Sequence, residues 1–118
     1  MSESKFTRRI CSELENEGCE VYPIVAQTMG KSGWPDRLVI CKEGVWLLEF
    51  KSYGGGLRKR QQLVIQRINR VRSGTAWVVR EGSVGDVDKI GVLEDSEGRE
   101  IGRFGDARAL IGLLSVRR

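Results

Sequence analysis

The run Gly33-Trp34-Pro35-Asp36, followed by Leu47-Leu48-Glu49-Phe50-Lys51, constrains this chain more than any other feature. Between the two lie Leu38-Val39-Ile40-Cys41 and Val45-Trp46, apolar and β-prone, so the segment reads as a turn, a strand, a tight loop and a second strand. Carboxylates are kept out of buried strands unless they are paired or hold a metal. Asp36 and Glu49 in apolar strand settings, with Lys51 beside them, therefore point to a divalent-cation site with an ammonium next to it. Taken singly, Asp36 could cap a turn after Pro35, and Glu49 and Lys51 could be an edge-strand ion pair. Their combination in one compatible register favours the site.

Residue counting gives a geometry. Lys42-Glu43-Gly44-Val45 has the form of a hairpin end with Glu43-Gly44 as the turn residues, so Lys42 pairs with Val45, Leu38 faces Glu49 and Asp36 faces Lys51. Side chains alternate along a strand, which puts Asp36, Glu49 and Lys51 on one face. Asp36 and Glu49 are then diagonal neighbours, roughly 7–8 Å apart. Oxygen ligands at about 2.1 Å from a magnesium ion span such a gap. A slip of one residue would turn Asp36 to the opposite face.

Along the rest of the chain, Ser2-Glu3 opens a helix to about Glu17, with Phe6, Ile10 and Leu14 on one face and Gly18 ending it. Glu20–Val25 reads as a strand and 27–34 as a Gly-rich loop. Gly54-Gly55-Gly56 breaks the chain before a basic helix, and Ala76–Arg80 is a further strand. A short helix near Ser83–Lys89, a hairpin around Asp95–Gly98 and a helix over Asp106–Leu114 complete the pattern. In the basic helix, Leu57, Val64, Ile65, Ile68 and Val71 form one stripe at 100° per residue that should pack on the sheet. Gln61 falls inside that stripe, and a buried amide needs polar partners. The neighbouring site or a backbone group would supply them.

Charge is uneven along the chain. Lys plus Arg number 20 and Asp plus Glu 16, a net +4, yet 57–72 contains Arg58, Lys59, Arg60, Arg67, Arg70 and Arg72 and no acid. Such a stretch is the usual footprint for phosphate backbones, or else a solvated helix face. The 118 residues suit one domain, 1–118. The absence of histidine excludes Ser-His-Asp and Cys-His hydrolysis and Cys/His zinc fingers. Cys11, Cys19 and Cys41, odd in number and without CxxC spacing, read as free thiols in a reducing compartment. No apolar run would span a bilayer and no signal-peptide core is present, so a cytoplasmic protein is expected, without membrane contact. Gly30-Lys31-Ser32 resembles the end of a phosphate-binding loop, but the glycine that loop requires falls at Val25, so no nucleotide cofactor is expected. Lys31 and Ser32 read instead as loop residues touching DNA. Trp34 would stack on an exposed base or plug the core.

Gly33-x-Pro35-Asp36 followed by Glu49-x-Lys51 resembles the signature of the PD-(D/E)XK nuclease superfamily. Gly56-Leu57, then Gln61 opening a helix, resembles its virus-type replication-repair nuclease (VRR-NUC) branch, and the likeness covers roughly residues 3 to 80. It implies an α/β restriction-endonuclease-like core, a mixed central β-sheet flanked by α-helices. It also implies metal-dependent hydrolysis of DNA phosphodiesters. Small standalone members are phage or bacterial, act as homodimers and include enzymes that cut four-way (Holliday) junctions. On this pattern Asp36, Glu49 and the backbone carbonyl of Phe50 hold Mg²⁺ or Mn²⁺, while Lys51 orients the attacking water and Gln61 positions water or phosphate. A helix-1 glutamate also joins the site, for which Glu3 fits by its distance ahead of Gly18 and Glu13 and Glu17 compete. Lys31, Ser32, Arg58, Lys59, Arg60, Arg67 and Arg70 would contact DNA. A flap, repair or nicking nuclease of the same fold, and a non-catalytic DNA-binding module, are the alternatives.

The basic stretch makes a salt-dependence prediction. Arg67→Ala with Arg70→Ala should weaken DNA binding and reduce the slope of log K against log salt by about 2, as expected for two lost phosphate contacts. A slope unchanged from wild type would mean that both arginines face away from DNA.

Overall fold

The structure, a computed structural model, describes residues 3–25 and 32–116. Ser4 sets the first boundary: its hydroxyl accepts the Thr7 backbone N–H at 3.1 Å, satisfying one of the orphan donors of a helix start. Helix α1 (Lys5–Asn16) therefore begins after the expected Ser2-Glu3 start and buries Phe6, Ile10 and Leu14 as read from their spacing. Gly18, at φ +94°, ends it in the left-handed conformation open to glycine.

Six strands follow in one sheet whose spatial order is their chain order: β1 (Glu20–Pro23), β2 (Arg37–Cys41), β3 (Gly44–Lys51), β4 (Ala76–Glu81), β5 (Gly91–Glu94) and β6 (Glu100–Phe104). All neighbours are antiparallel except β3 and β4, which run parallel and so need a crossover. Helix α2 (Lys59–Val71) provides it. Helix α3 (Ala107–Ser115) closes the fold, with the Asp106 carboxylate accepting the Ala109 N–H at 2.9 Å as its N-cap. The sheet thus separates two apolar layers. Phe6, Leu14, Trp46, Leu48, Phe50, Val79 and Leu110 fill the layer under α1 and α3. On the other side Ile65 packs on Ala76 and Val78 beneath α2. Asn69 ties α2 to β4: its Oδ1 accepts from Thr75 N at 3.0 Å and Ala76 N at 2.8 Å, and its Nδ2 donates to Ala76 O at 2.9 Å.

Several expectations need correction. The β2–β3 turn is Lys42-Glu43, with Cys41 paired to Gly44 and Arg37 to Leu48. Gly44 is a strand residue, required for space: a Cβ there would lie 2.7 Å from the Trp46 ring. Continuing the register one step brings Asp36 level with Glu49 instead of Lys51. Every pairing moves by two residues, an even shift, so the shared face survives. Cys19 and Cys41 form a disulfide, and only Cys11 is free among the cysteines. Strand β1 pairs Glu20 with Ile40, which sets the two flanking cysteines against each other, a proximity that spacing along the chain does not reveal. The short helix near Ser83–Lys89 is only a 3₁₀ turn, Val84–Asp86, because Asp86 and Lys89 adopt positive φ. Val71 leaves the α2 stripe: it is 90% exposed, the last helical residue before Arg72 turns extended.

Leu14, fully buried between α1 and the sheet layer, is a direct probe of this core. Leu14→Ala should lower unfolding free energy by about 2–5 kcal/mol in urea titration, the usual range for a cavity left by a buried leucine. A loss under about 1 kcal/mol would mean that the α1 layer is loosely packed.

Candidate active site

Strand alternation assembles the site on the α2 face of the sheet. Leu47, packed beneath α2, marks the face on which Glu49 and Lys51 also lie, while Trp46, Leu48 and Phe50 point into the opposite core. Glu49 is only 5% exposed. Its Oε2 receives Gln61 Nε2 at 3.1 Å and lies 3.4 Å from Lys51 Nζ. The Gln61 amide is used at both ends, since its Oε1 accepts the Arg58 N–H at 3.0 Å and caps the start of α2. The polar partner that a glutamine on an apolar stripe requires is thus Glu49 itself. Asp36 Oδ1 accepts the Phe50 N–H at 3.3 Å, which locks the aspartate beside the backbone of the strand carrying Glu49.

These groups perturb one another. Burial, and then the charge of Asp36, push the Glu49 carboxyl from its ordinary 4.5 up to about 7, against the pull of Lys51. Asp36 is also raised by burial, opposed by Arg37, the Phe50 N–H and Lys51. Two acids that resist sharing their negative charge are what a bound cation relieves. Glu49 Oε2 carries the Gln61 and Lys51 contacts, and the Asp36 backbone also bonds the Glu49 carboxyl, so the two carboxylates stand together as oxygen donors. Hard oxygen donors of this kind suit Mg²⁺ or Mn²⁺. No group of three or more acidic, histidine or cysteine side chains gathers among the described residues, so two carboxylates are the side-chain donors on offer.

The remaining predicted residues are distributed around this centre. Glu3 does not join the carboxylate pair. It bonds Arg37 Nη2, and Arg37 Nη1 in turn donates to the Asp36 carbonyl at 3.0 Å and lies 3.9 Å from Asp36 Oδ2. Asp36, Cys11 and Glu3 hold the Arg37 charge above its ordinary range even though burial opposes it. Glu13 and Glu17 turn the other way, Glu13 accepting Ala107 N and Arg9, Glu17 pairing with Arg108. Lys59, Arg60 and Arg67 line a groove along α2 with Ser32 and Trp34, whereas Arg58 and Arg70 are exposed away from it. Lys31 lies outside the described residues.

Sequence reading missed Arg37, which follows Asp36 directly but points to the α1 side, and the anchors of the glycine loop. Tyr53 N donates to the buried Glu81 at 3.1 Å, and Arg80 bonds the carbonyl of Gly55 while its Nε holds Glu94 at 3.0 Å. The parallel register that sets Lys51 beside Arg80 brings these together, and nothing local to 76–81 announces it.

No family model matches the chain, and no curated protein does. Among solved structures it is similar to Hjc, a Holliday junction resolvase of the archaeal hyperthermophile Archaeoglobus fulgidus, with TM-score 0.56 and 15% identity over 80% of this chain and 76% of that one. At that identity the likeness is one of fold. The architecture is the expected restriction-endonuclease-like α/β core, a mixed six-stranded sheet flanked by three helices. This neighbour does not single out the VRR-NUC branch. No helix among the described residues is long and apolar enough to cross a membrane.

Glu49 makes a pH prediction for the metal-free protein. Its folded pKa, about 7, exceeds the ordinary 4.5, so the folded state holds the proton more tightly than the unfolded chain. The stability this adds is complete below pH 4.5 and is lost as pH rises to about 7. In EDTA, Glu49→Gln should therefore gain urea stability relative to wild type on going from acid to alkaline pH. A constant difference between the two proteins across that range would show that Glu49 ionises normally.

Proposed function

We propose that this protein is a divalent-metal-dependent endonuclease that hydrolyses phosphodiester bonds in branched DNA, four-way junctions foremost, and that it works as a homodimer of the VRR-NUC kind. The observation that carries the reading is Asp36 set beside the buried Glu49, with Lys51 and Gln61 on one Glu49 oxygen, and Gln61 next in sequence to Arg60 of a groove rimmed by cations. The resolvase-like fold supports it, because the same architecture in that neighbour serves junction resolution. A two-fold dimer suits a junction with near two-fold symmetry, each copy cutting one of two equivalent strands.

The carboxylates of Asp36 and Glu49 and the Phe50 carbonyl would hold Mg²⁺ or Mn²⁺. When bound, such an ion supplies Lewis acidity toward phosphate and water. The chain's own residues do the rest. Lys51, held 3.4 Å from Glu49, orients the water and offsets the charge that develops on the phosphate. Gln61 fixes Glu49 with its amide N–H, and Arg37 steadies Asp36 from behind. A water oxygen forms its bond to phosphorus as the P–O ester bond breaks, and the departing oxygen takes up a proton. The Cys19–Cys41 disulfide removes the free thiols that favoured a reducing compartment, and the DNA substrate alone supports a cytoplasmic location, or the host cytoplasm for a phage protein.

Labelled four-way junction, flap, single-stranded and linear duplex DNA, each with Mg²⁺, Mn²⁺ or EDTA, test this directly. Paired metal-dependent cuts in the junction are expected, absent in Asp36→Ala. Lys51→Ala should slow cleavage by about 10²–10⁴-fold while leaving DNA binding within about twofold. Cutting of flaps or duplex alone would move the enzyme to repair or nicking, and tight binding without cleavage of any substrate would make it a binding module.

A further inference from the structure

The outer flank of α2 carries a groove of about 870 Å³ that the carboxylate chemistry does not use. Its rim is cationic, with Lys59, Arg60, Arg67 and Arg72, and among the described residues no acidic side chain lines it. Its lining also carries apolar side chains: Leu63 and Val71, 42% and 90% exposed, beside Ile68 and Trp34. A rim of this kind calls for phosphates, yet phosphates gain nothing from exposed leucine and valine. An occupant must offer apolar faces and regularly spaced negative charge together.

Paired DNA does not do so, because its base faces are stacked inward and only base edges, sugar and phosphate meet the protein. Unpaired nucleotides do, and an apolar or aromatic platform within a cationic groove is how single strands are held. A second copy of the chain is disfavoured, since a two-fold contact at this groove would set the four cations against the same four. The volume lies toward the top of the roughly 300–1,000 Å³ of ordinary ligand sites, enough for more than one nucleoside.

The groove is joined to the carboxylate site. Trp34 is two residues before Asp36, and Arg60 adjoins Gln61. The two segments touch, as a Cβ built on Gly33 would lie 2.9 Å from Arg60 Cγ. We propose that this groove binds unpaired nucleotides of the strand entering the Asp36–Glu49 site, with bases on Leu63, Ile68 and Val71 beside Trp34 and phosphates along Lys59, Arg60, Arg67 and Arg72. The substrate class is then DNA carrying a single-stranded stretch next to the scissile bond. The role in cleavage rests on the nuclease reading above, whereas the occupant does not.

Fluorescence anisotropy of the full chain in EDTA separates the two. The probes are a labelled short oligothymidylate and an abasic phosphodiester strand of equal length and charge. The oligothymidylate should bind at least about tenfold more tightly at about 0.15 M salt. Leu63→Ser with Val71→Ser, both exposed and so compatible with folding, should bring that ratio below about twofold. Equal binding of the two probes by wild type overturns the inference even if metal-dependent junction cleavage is observed. Absence of cleavage with the ratio intact overturns the nuclease reading alone. If the double variant loses self-association in sedimentation while keeping the ratio, the groove belongs to a second copy and the inference fails.

Discussion

A carboxylate held in the middle of a sheet governs the arrangement of everything near it. Glu49 lies on β3, with β2 on one side and β4 on the other, and is almost wholly removed from solvent. An apolar side chain in such a place is commonly neutral or stabilising relative to a buried charge. The surroundings of Glu49 are accordingly built to keep the acid: Lys51 reaches back along the strand, Gln61 reaches across from α2, and the turn before β2 delivers Asp36 to the same level. That last contact works against stability, because it adds a second negative charge. Asp36 is held there by the Phe50 N–H and Arg37.

Much of this was legible in the sequence because alternation is a parity rule. The turn glycine was misread, Gly44 serving Trp46 and not the bend, but the resulting error was even and left Asp36, Glu49 and Lys51 on a common face. Gln61 was legible because an amide on an apolar stripe is a local anomaly. Contacts set by distant pairing left no such trace. The Cys19–Cys41 bridge depends on the β1–β2 register, and Glu3 meets Arg37 across more than thirty residues of chain. Val71 shows a further limit: periodicity gives the angle of a residue on a helix, not whether anything stands opposite it.

The resolvase-like architecture and the site carry different kinds of information. A sheet with one parallel pair and a crossover helix can be shared at 15% identity, since it demands only the right pattern of apolar faces. The site demands particular atoms, and here they arrive from three separate places: the turn before β2, the second half of β3 and the first turn of α2.

Those three places do not have equal freedom to move. Strand β3 is bonded on both edges, so Glu49 and Lys51 are as immobile as any part of the backbone. Helix α2, by contrast, is attached to β3 through a stretch containing Gly54, Gly55 and Gly56, held to β4 by Glu81 and Arg80, and its far end is pinned by Asn69. The near end of that helix is fastened to the sheet through Gln61, as the far end is through Asn69. Gln61 sits on the helix and Glu49 on the strand, so one hydrogen bond ties the position of α2 to the carboxylate that the sheet buries.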